Sequence, residues 1–138
     1  MKIFLDANIL FSASLPHSRT GNFLALALKR ALVATSGYAV EETQRNLARY
    51  KPKALDELEL LVSRLDLCND TTVLPELVLP AKDRPILEAA VTAECTHLLT
   101  GDFKHFGPLL GRRIGSVKVV SMQMLADEFI ANGWVQRV

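Results

Sequence analysis

The sequence predicts an α/β fold: a three-layer sandwich in which a central parallel sheet of about five strands lies between helices. Three observations carry that reading. Short apolar runs alternate with amphipathic stretches several times along the chain. The connections are short, so each crossover must pack its helix back over the sheet. The 138 residues, 49% of them hydrophobic, are enough for one domain over 1–138 with its own core and no disulfides.

Each element follows from local chemistry. Lys2–Leu5 (KIFL) reads as a buried strand that stops at Asp6. A short helical stretch starts at Asn8 and breaks near Pro16-His17-Ser18. Thr20-Gly21 opens an amphipathic helix, NFLALALKRA, and Leu32–Thr35 (LVAT) is the second strand. Ser36-Gly37 is a turn before a helix through EETQRNLARY. Pro52 starts another, KALDELELLVSRL, with Leu55, Leu58, Leu61 and Leu65 on one face. A weak third strand falls between Leu67 and Leu74. Pro80-Ala81-Lys82 is a loop before the helix DRPILEAAVTAEC, whose first turn suits Pro85. His97–Thr100 (HLLT) is the fourth strand, with a turn at Gly101-Asp102. Val117–Val120 is the fifth, and Ser121 caps a last helix, MQMLADEFIANG, ended by Gly133.

Composition bounds the function classes. A net charge of +1, from 16 basic and 15 acidic residues, lacks the global footprint of a strong nucleic-acid binder. Basic residues do cluster at Arg45, Arg49, Lys51 and Lys53, and at Arg112-Arg113, where each alone reads as a solvated face. A mean hydropathy of +0.19 leaves an apolar excess that a partner surface would cover. No apolar run reaches the length of a membrane span. The first residues run straight into a strand without a signal-peptide pattern. Cys68 and Cys95 share no metal or redox spacing and read as reduced thiols, so a cytoplasmic location is expected.

The acids carry the chemistry. Asp6 follows strand one, Glu42 lies in the first turn after strand two, Asp83 starts the helix after strand three, and Asp102 follows strand four. All fall toward the carboxyl edge of the sheet, where open parallel sheets bind ligands. Each has an ordinary explanation as a cap, a turn residue or an ion-pair partner. Together they do not. At about 6 Å and an effective dielectric near 20, each like-charge pair costs roughly 3 kcal/mol. Six pairs reach an upper bound comparable with a domain's whole stability of about 5–15 kcal/mol. A divalent cation removes that cost most directly, and an all-carboxylate set suits Mg²⁺ or Mn²⁺. Of the histidines, His17 lies in a loop and His97 opens a strand. His105, three residues past Asp102, reads as a surface residue within reach of a substrate.

Four segments in order, LDANIL at Asp6, Ser36-x₅-Glu42, KDRPILEAA at Asp83 and LLTGDFKHF at Asp102, resemble the PIN-domain nucleases, with a closing strand and helix from Val117. The resemblance spans essentially the whole chain. It implies a PIN-like fold, one or two metal ions held by Asp6, Glu42, Asp83 and Asp102, and hydrolysis of RNA phosphodiester bonds. It further implies a VapC-like toxin with a cognate antitoxin, commonly a dimer. Asn8 matches the polar residue after the first aspartate, and Ser36 and Thr100 fall where small hydroxyls support the site. A helical wheel does not choose between Glu41 and Glu42. Val40, Thr43, Leu47 and Tyr50 make the inward stripe and leave Glu42 on the polar side, so only its first-turn position and the family spacing favour it.

Arg45 and Arg49 are either contacts to flanking phosphates or, for Arg45, the i,i+4 partner of Glu41. Arg84 is either a phosphate contact or a partner of Asp83. A haloacid-dehalogenase-like phosphatase would need a second aspartate where Asn8 stands. A response-regulator receiver would need a lysine near Ser121. The remaining rival is a catalytically silent PIN-fold module that binds protein or RNA.

Overall fold

A computed structural model describes residues 1–69, 81 and 83–136. Its sheet has six strands: β1 (Lys2–Leu5), β2 (Leu32–Thr35), β3 (Asp66–Leu67), β4 (His97–Leu99), β5 (Arg113–Ile114) and β6 (Val117–Val120). Among the described residues seven α-helices accompany them: α1 (Ala7–Ala13), α2 (Arg19–Arg30), α3 (Gly37–Tyr50), α4 (Leu55–Val62), α5 (Arg84–Thr92), α6 (Phe103–Phe106) and α7 (Met122–Ala131). The strand order is β3-β2-β1-β4-β6-β5, parallel except for the β5–β6 pair. The α/β architecture with a mostly parallel sheet is therefore as the sequence predicts.

The differences are local. β5 is an added edge strand. It forms a hairpin with β6 in which Ile114 pairs with Val117, leaving Gly115-Ser116 as the loop. Gly115 has φ +60°, a conformation that favours glycine and suits a two-residue hairpin loop. The third strand is only Asp66–Leu67, and residues 70–74 of its expected window lie outside the described residues, as do Pro80 and Lys82. Gly37 is helical rather than a turn, because the Ser36 hydroxyl accepts from the Ala39 N–H at 3.2 Å and starts α3 there. Asp6 caps α1 one residue earlier than expected. The helix expected from Pro52 opens as a 3₁₀ turn over Pro52–Ala54, and α4 ends at Val62. α5 ends at Thr92, where Glu94 takes a positive φ of 55°.

The central strands supply the core. Ile3, Phe4, Leu5, Leu98, Leu99, Val119 and Val120 are fully buried. At the edge of this core, Phe129 of α7 stacks on Phe23 of α2 at 5.2 Å and meets Trp134 edge-on at 5.1 Å. At the start of β4, buried His97 places Nδ1 2.8 Å from the Thr96 hydroxyl and Nε2 2.8 Å from Glu128. Burial opposes ionisation of Glu128, but His97 and Lys118 outweigh it and hold its carboxyl below the usual range. Among the described residues no helix is long and apolar enough to cross a membrane.

Truncating Phe129→Ala leaves a cavity where three aromatic rings meet, and is expected to cost about 3–5 kcal/mol. Urea denaturation measures this; a loss below about 1 kcal/mol would contradict the packing described.

Candidate functional site

The strand order reverses its direction of winding between β1 and β4, with β2 and β3 on one side and β6 and β5 on the other. Crevices of this kind, beyond the strand carboxyl ends, are where open sheets bind ligands. Register fixes what arrives there. Leu5 pairs with Leu99, and the Asp6 N–H donates to the Leu99 carbonyl at 3.1 Å. Asp6 and Thr100 therefore leave their strands side by side.

Asp6 is 4% exposed. Its Oδ1 accepts from the Ala7 N–H at 2.7 Å, and its Oδ2 accepts from Asn8 Nδ2 at 3.0 Å and from the Thr100 hydroxyl at 2.7 Å. Burial nevertheless pushes its carboxyl up to about 6, opposed by the bonds from Thr100 and Ala7 and reinforced by the charges of Glu42 and Asp83. Two acids distant in sequence thus act on it electrostatically.

Asn8 and Thr100 knit the strand ends together. Asn8 Oδ1 accepts from the Gly101 N–H at 2.8 Å, while its amide holds Asp6. A Cβ on Gly101 would stand 3.2 Å from that oxygen, so a larger residue would press on the tie. Thr100 Oγ1 donates to Asp6 and accepts from the Asp102 N–H at 3.0 Å. One hydroxyl links both aspartates.

Asp102 Oδ1 accepts from the His105 N–H at 3.2 Å and caps α6. Its Oδ2 lies 2.9 Å from His105 Nδ1, and Asp83 Oδ2 lies 2.9 Å from the same nitrogen. That nitrogen carries one proton at most, so two carboxylates compete for a single donor. Asp83, buried at the N-cap position of α5, makes no side-chain capping bond there. The ligand atoms of Asp83, Asp102 and His105 all lie within 4.8 Å of one another.

α3 brings the fourth acid. Ala39, Thr43 and Leu47 are its buried stripe, and the Thr43 hydroxyl donates to the Ala39 and Ala7 carbonyls. Glu42, Asn46 and Tyr50, four residues apart, form the neighbouring stripe and line a cavity of about 390 Å³ with Asp6, Asp83 and Asp102. Glu41 is exposed. Of the two glutamates it is Glu42 that lines the cavity, and Tyr50, expected inward, is 60% exposed instead. It is the last residue of the helix, where the packed stripe has ended.

The other predicted residues fall as follows. Ser36 caps α3 and does not line the cavity. Arg45 and Arg49 are exposed, and Arg84 is half-buried at the start of α5. Arg45 acts on Tyr38, whose hydroxyl is pushed up by burial and by the charges of Glu42 and Asp83, with Arg45 opposing. His105 joins the acids, contrary to its reading as a surface residue. The one signal for it was its position three residues after Asp102, on the same face of a one-turn helix. Asn46 also went unread, although it stands one helical turn after Glu42. A larger cavity of about 1130 Å³ lies beside the acidic one, and among the described residues the two share only Tyr50.

The family profile for the PIN domain matches residues 2–104. Among curated proteins no sequence matches the chain. Several solved structures share its fold, and two of them serve as examples. One is VapBC2 from Rickettsia felis bound to a DNA fragment from its promoter, with 21% identity, a TM-score of 0.65, and 88% of this chain and 98% of that one covered. The other is FitAB bound to the IR36 DNA fragment, with 19% identity, a TM-score of 0.56, and coverage of 86% and 94%.

The raised carboxyl of Asp6 sets a pH dependence for the metal-free protein. The folded group holds its proton to about 6, against 3.8 for a free aspartate carboxyl. Between those values the folded state binds more protons, so Asp6 lowers stability as pH rises, by up to about 3 kcal/mol, and the loss is complete above pH 6. Denaturation in chelator from pH 4 to 7 should show a falling component in the wild type that Asp6→Asn lacks. Parallel profiles would contradict it.

Proposed function

The chain belongs to the PIN-domain family, and we propose that it is a Mg²⁺- or Mn²⁺-dependent endoribonuclease, the toxin component of a prokaryotic toxin–antitoxin pair. The observation that carries this reading is the convergence of Asp6, Glu42, Asp83 and Asp102, from four distant segments, on one cavity at the carboxyl edge of the sheet. Fold likeness to the VapBC2 and FitAB complexes supports an antitoxin partner.

The donor set fits a hard divalent cation. The carboxylates supply oxygen ligands; burial chiefly holds Asp6 up to about 6, and the charges of Glu42 and Asp83 that add to it are a repulsion a cation would reverse. Asp6 and Asp102 would be the central ligands, with Glu42 and Asp83 completing the set directly or through water. A bound cation supplies an acidified water and stabilises charge on the scissile phosphate. The rest is the work of the chain. Thr100 fixes Asp6 and holds the backbone of Asp102, and Asn8 keeps the loop after β4 against β1. His105 sets the separation of Asp83 and Asp102. Glu42 and Asp83, which line the cavity, would orient the attacking water. Arg45, Arg49 and Arg84 meet flanking phosphates. The rival, a silent module that binds protein or RNA, draws on the larger cavity and makes no demand on the acids.

Cleavage of a structured RNA separates the two. Wild-type protein should cut with Mn²⁺ or Mg²⁺ and stop in chelator. Asp6→Asn and Asp102→Asn should abolish cutting, and Asn8→Ala should slow it by about 10–100-fold through lost orientation. No cutting by the wild type, or equal cutting by the aspartate variants, would contradict the nuclease reading.

A further inference from the structure

Two histidines meet carboxylates in this structure, and they are satisfied differently. His97 has Glu128 at Nε2 and the Thr96 hydroxyl at Nδ1. With its proton on Nε2 it donates to Glu128 and accepts from Thr96, so one tautomer serves both contacts. Neither tautomer does this for His105. Its Nδ1 lies 2.9 Å from Asp83 Oδ2 and 2.9 Å from Asp102 Oδ2, and an ionised carboxylate only accepts. With the proton on Nδ1, two acceptors divide one donor. With it on Nε2, a nitrogen lone pair and two carboxylate oxygens face one another.

The backbone imposes this meeting. Asp102 caps α6 through Oδ1, which accepts from the His105 N–H, so Oδ2 is the oxygen turned to the ring. Asp83 arrives from the start of α5. His105 is not among the residues that line the cavity around Asp6, so it reaches the two aspartates from outside that cavity. An octahedral cation about 2.1 Å from its ligands sets neighbouring ligand atoms about 3 Å apart. Both nitrogen–oxygen separations match that edge, and all three atoms lie within 4.8 Å of one another. A nitrogen among the donors changes which ion fits. Mg²⁺ takes oxygen ligands and water, whereas imidazole suits transition ions.

We propose that Asp83, Asp102 and His105 form a mixed oxygen–nitrogen metal position that takes a first-row transition ion in preference to Mg²⁺. It shares Asp102 with the position between Asp6 and Asp102 and leaves that one in place. The proposal deepens the metal-dependent reading, on which it rests only for the presence of a cation at these acids. His105 is a ligand here and takes no part in proton transfer.

Mn²⁺ binding to the whole protein without RNA tests this, because pulsed electron paramagnetic resonance detects a nitrogen bonded to manganese. The wild type should show a ¹⁴N coupling. His105→Gln should abolish it, and Asp6→Asn should keep it, since Asp6 belongs to the neighbouring position. Calorimetric titrations should show the preference for Mn²⁺ over Mg²⁺ falling at least about tenfold in His105→Gln, with Mg²⁺ affinity little changed. Circular dichroism checks that each variant is folded. Bound Mn²⁺ with no nitrogen coupling, a coupling that survives in His105→Gln, or an unchanged preference overturns the proposal. RNA cutting without the coupling would sink the proposal and spare the nuclease reading. The coupling without any cutting would uphold the metal position and sink the nuclease reading alone.

Discussion

A carboxylate shut away from water with other carboxylates beside it is the constraint around which this structure is arranged. Asp6 is buried at the end of the central strand, and Glu42 and Asp83 both press on it electrostatically. Neutral hydrogen bonds soften the cost without removing it, since its carboxyl still sits near 6. Nothing in folding alone asks for such an arrangement. A hydrophobic residue or an ordinary cap at this position would be cheaper. The frustration makes sense as readiness for a positive ion, in keeping with the rule that strongly perturbed groups collect at functional sites.

The fold supports that readiness through few parts. Parallel pairing of β1 with β4 sets Asp6 beside Thr100, and the hydroxyl of Thr100 reaches both aspartates through one side-chain and one backbone bond. Asn8 closes the same joint from the other strand. His105 stands between Asp83 and Asp102 and keeps their oxygens close to one nitrogen. Geometry at the acids is therefore fixed by neighbours one bond away, while the central strands and the helices packed on them carry the apolar core. The aromatic contact of α2 with α7 is distant in role: it secures packing and leaves the acids untouched.

Much of this was legible in the residues because strands buried on both faces write themselves as apolar runs. KIFL, LVAT and VKVV each match a strand residue for residue. The acids were legible because each follows a strand or opens a helix, positions that share an edge once the sheet is parallel. The hairpin of β5 was not, since two residues carry no periodicity and only Gly115-Ser116 marked the turn. Glu42 could not be separated from Glu41 by a wheel that treated Tyr50 as inward. The helix buries a narrower stripe through Ala39, whose small side chain gave little hydrophobic signal. His105 was unreadable for a different reason. Its partner Asp83 lies in another segment, and only tertiary structure brings a histidine between two aspartates.

Anomalous diffraction from a crystal grown with Mn²⁺ bears most directly on the central claim, that these carboxylates gather to hold a hard cation. The account predicts a manganese peak within bonding distance of Asp6 and Asp102. A peak elsewhere, or none between them at saturating manganese, would contradict it.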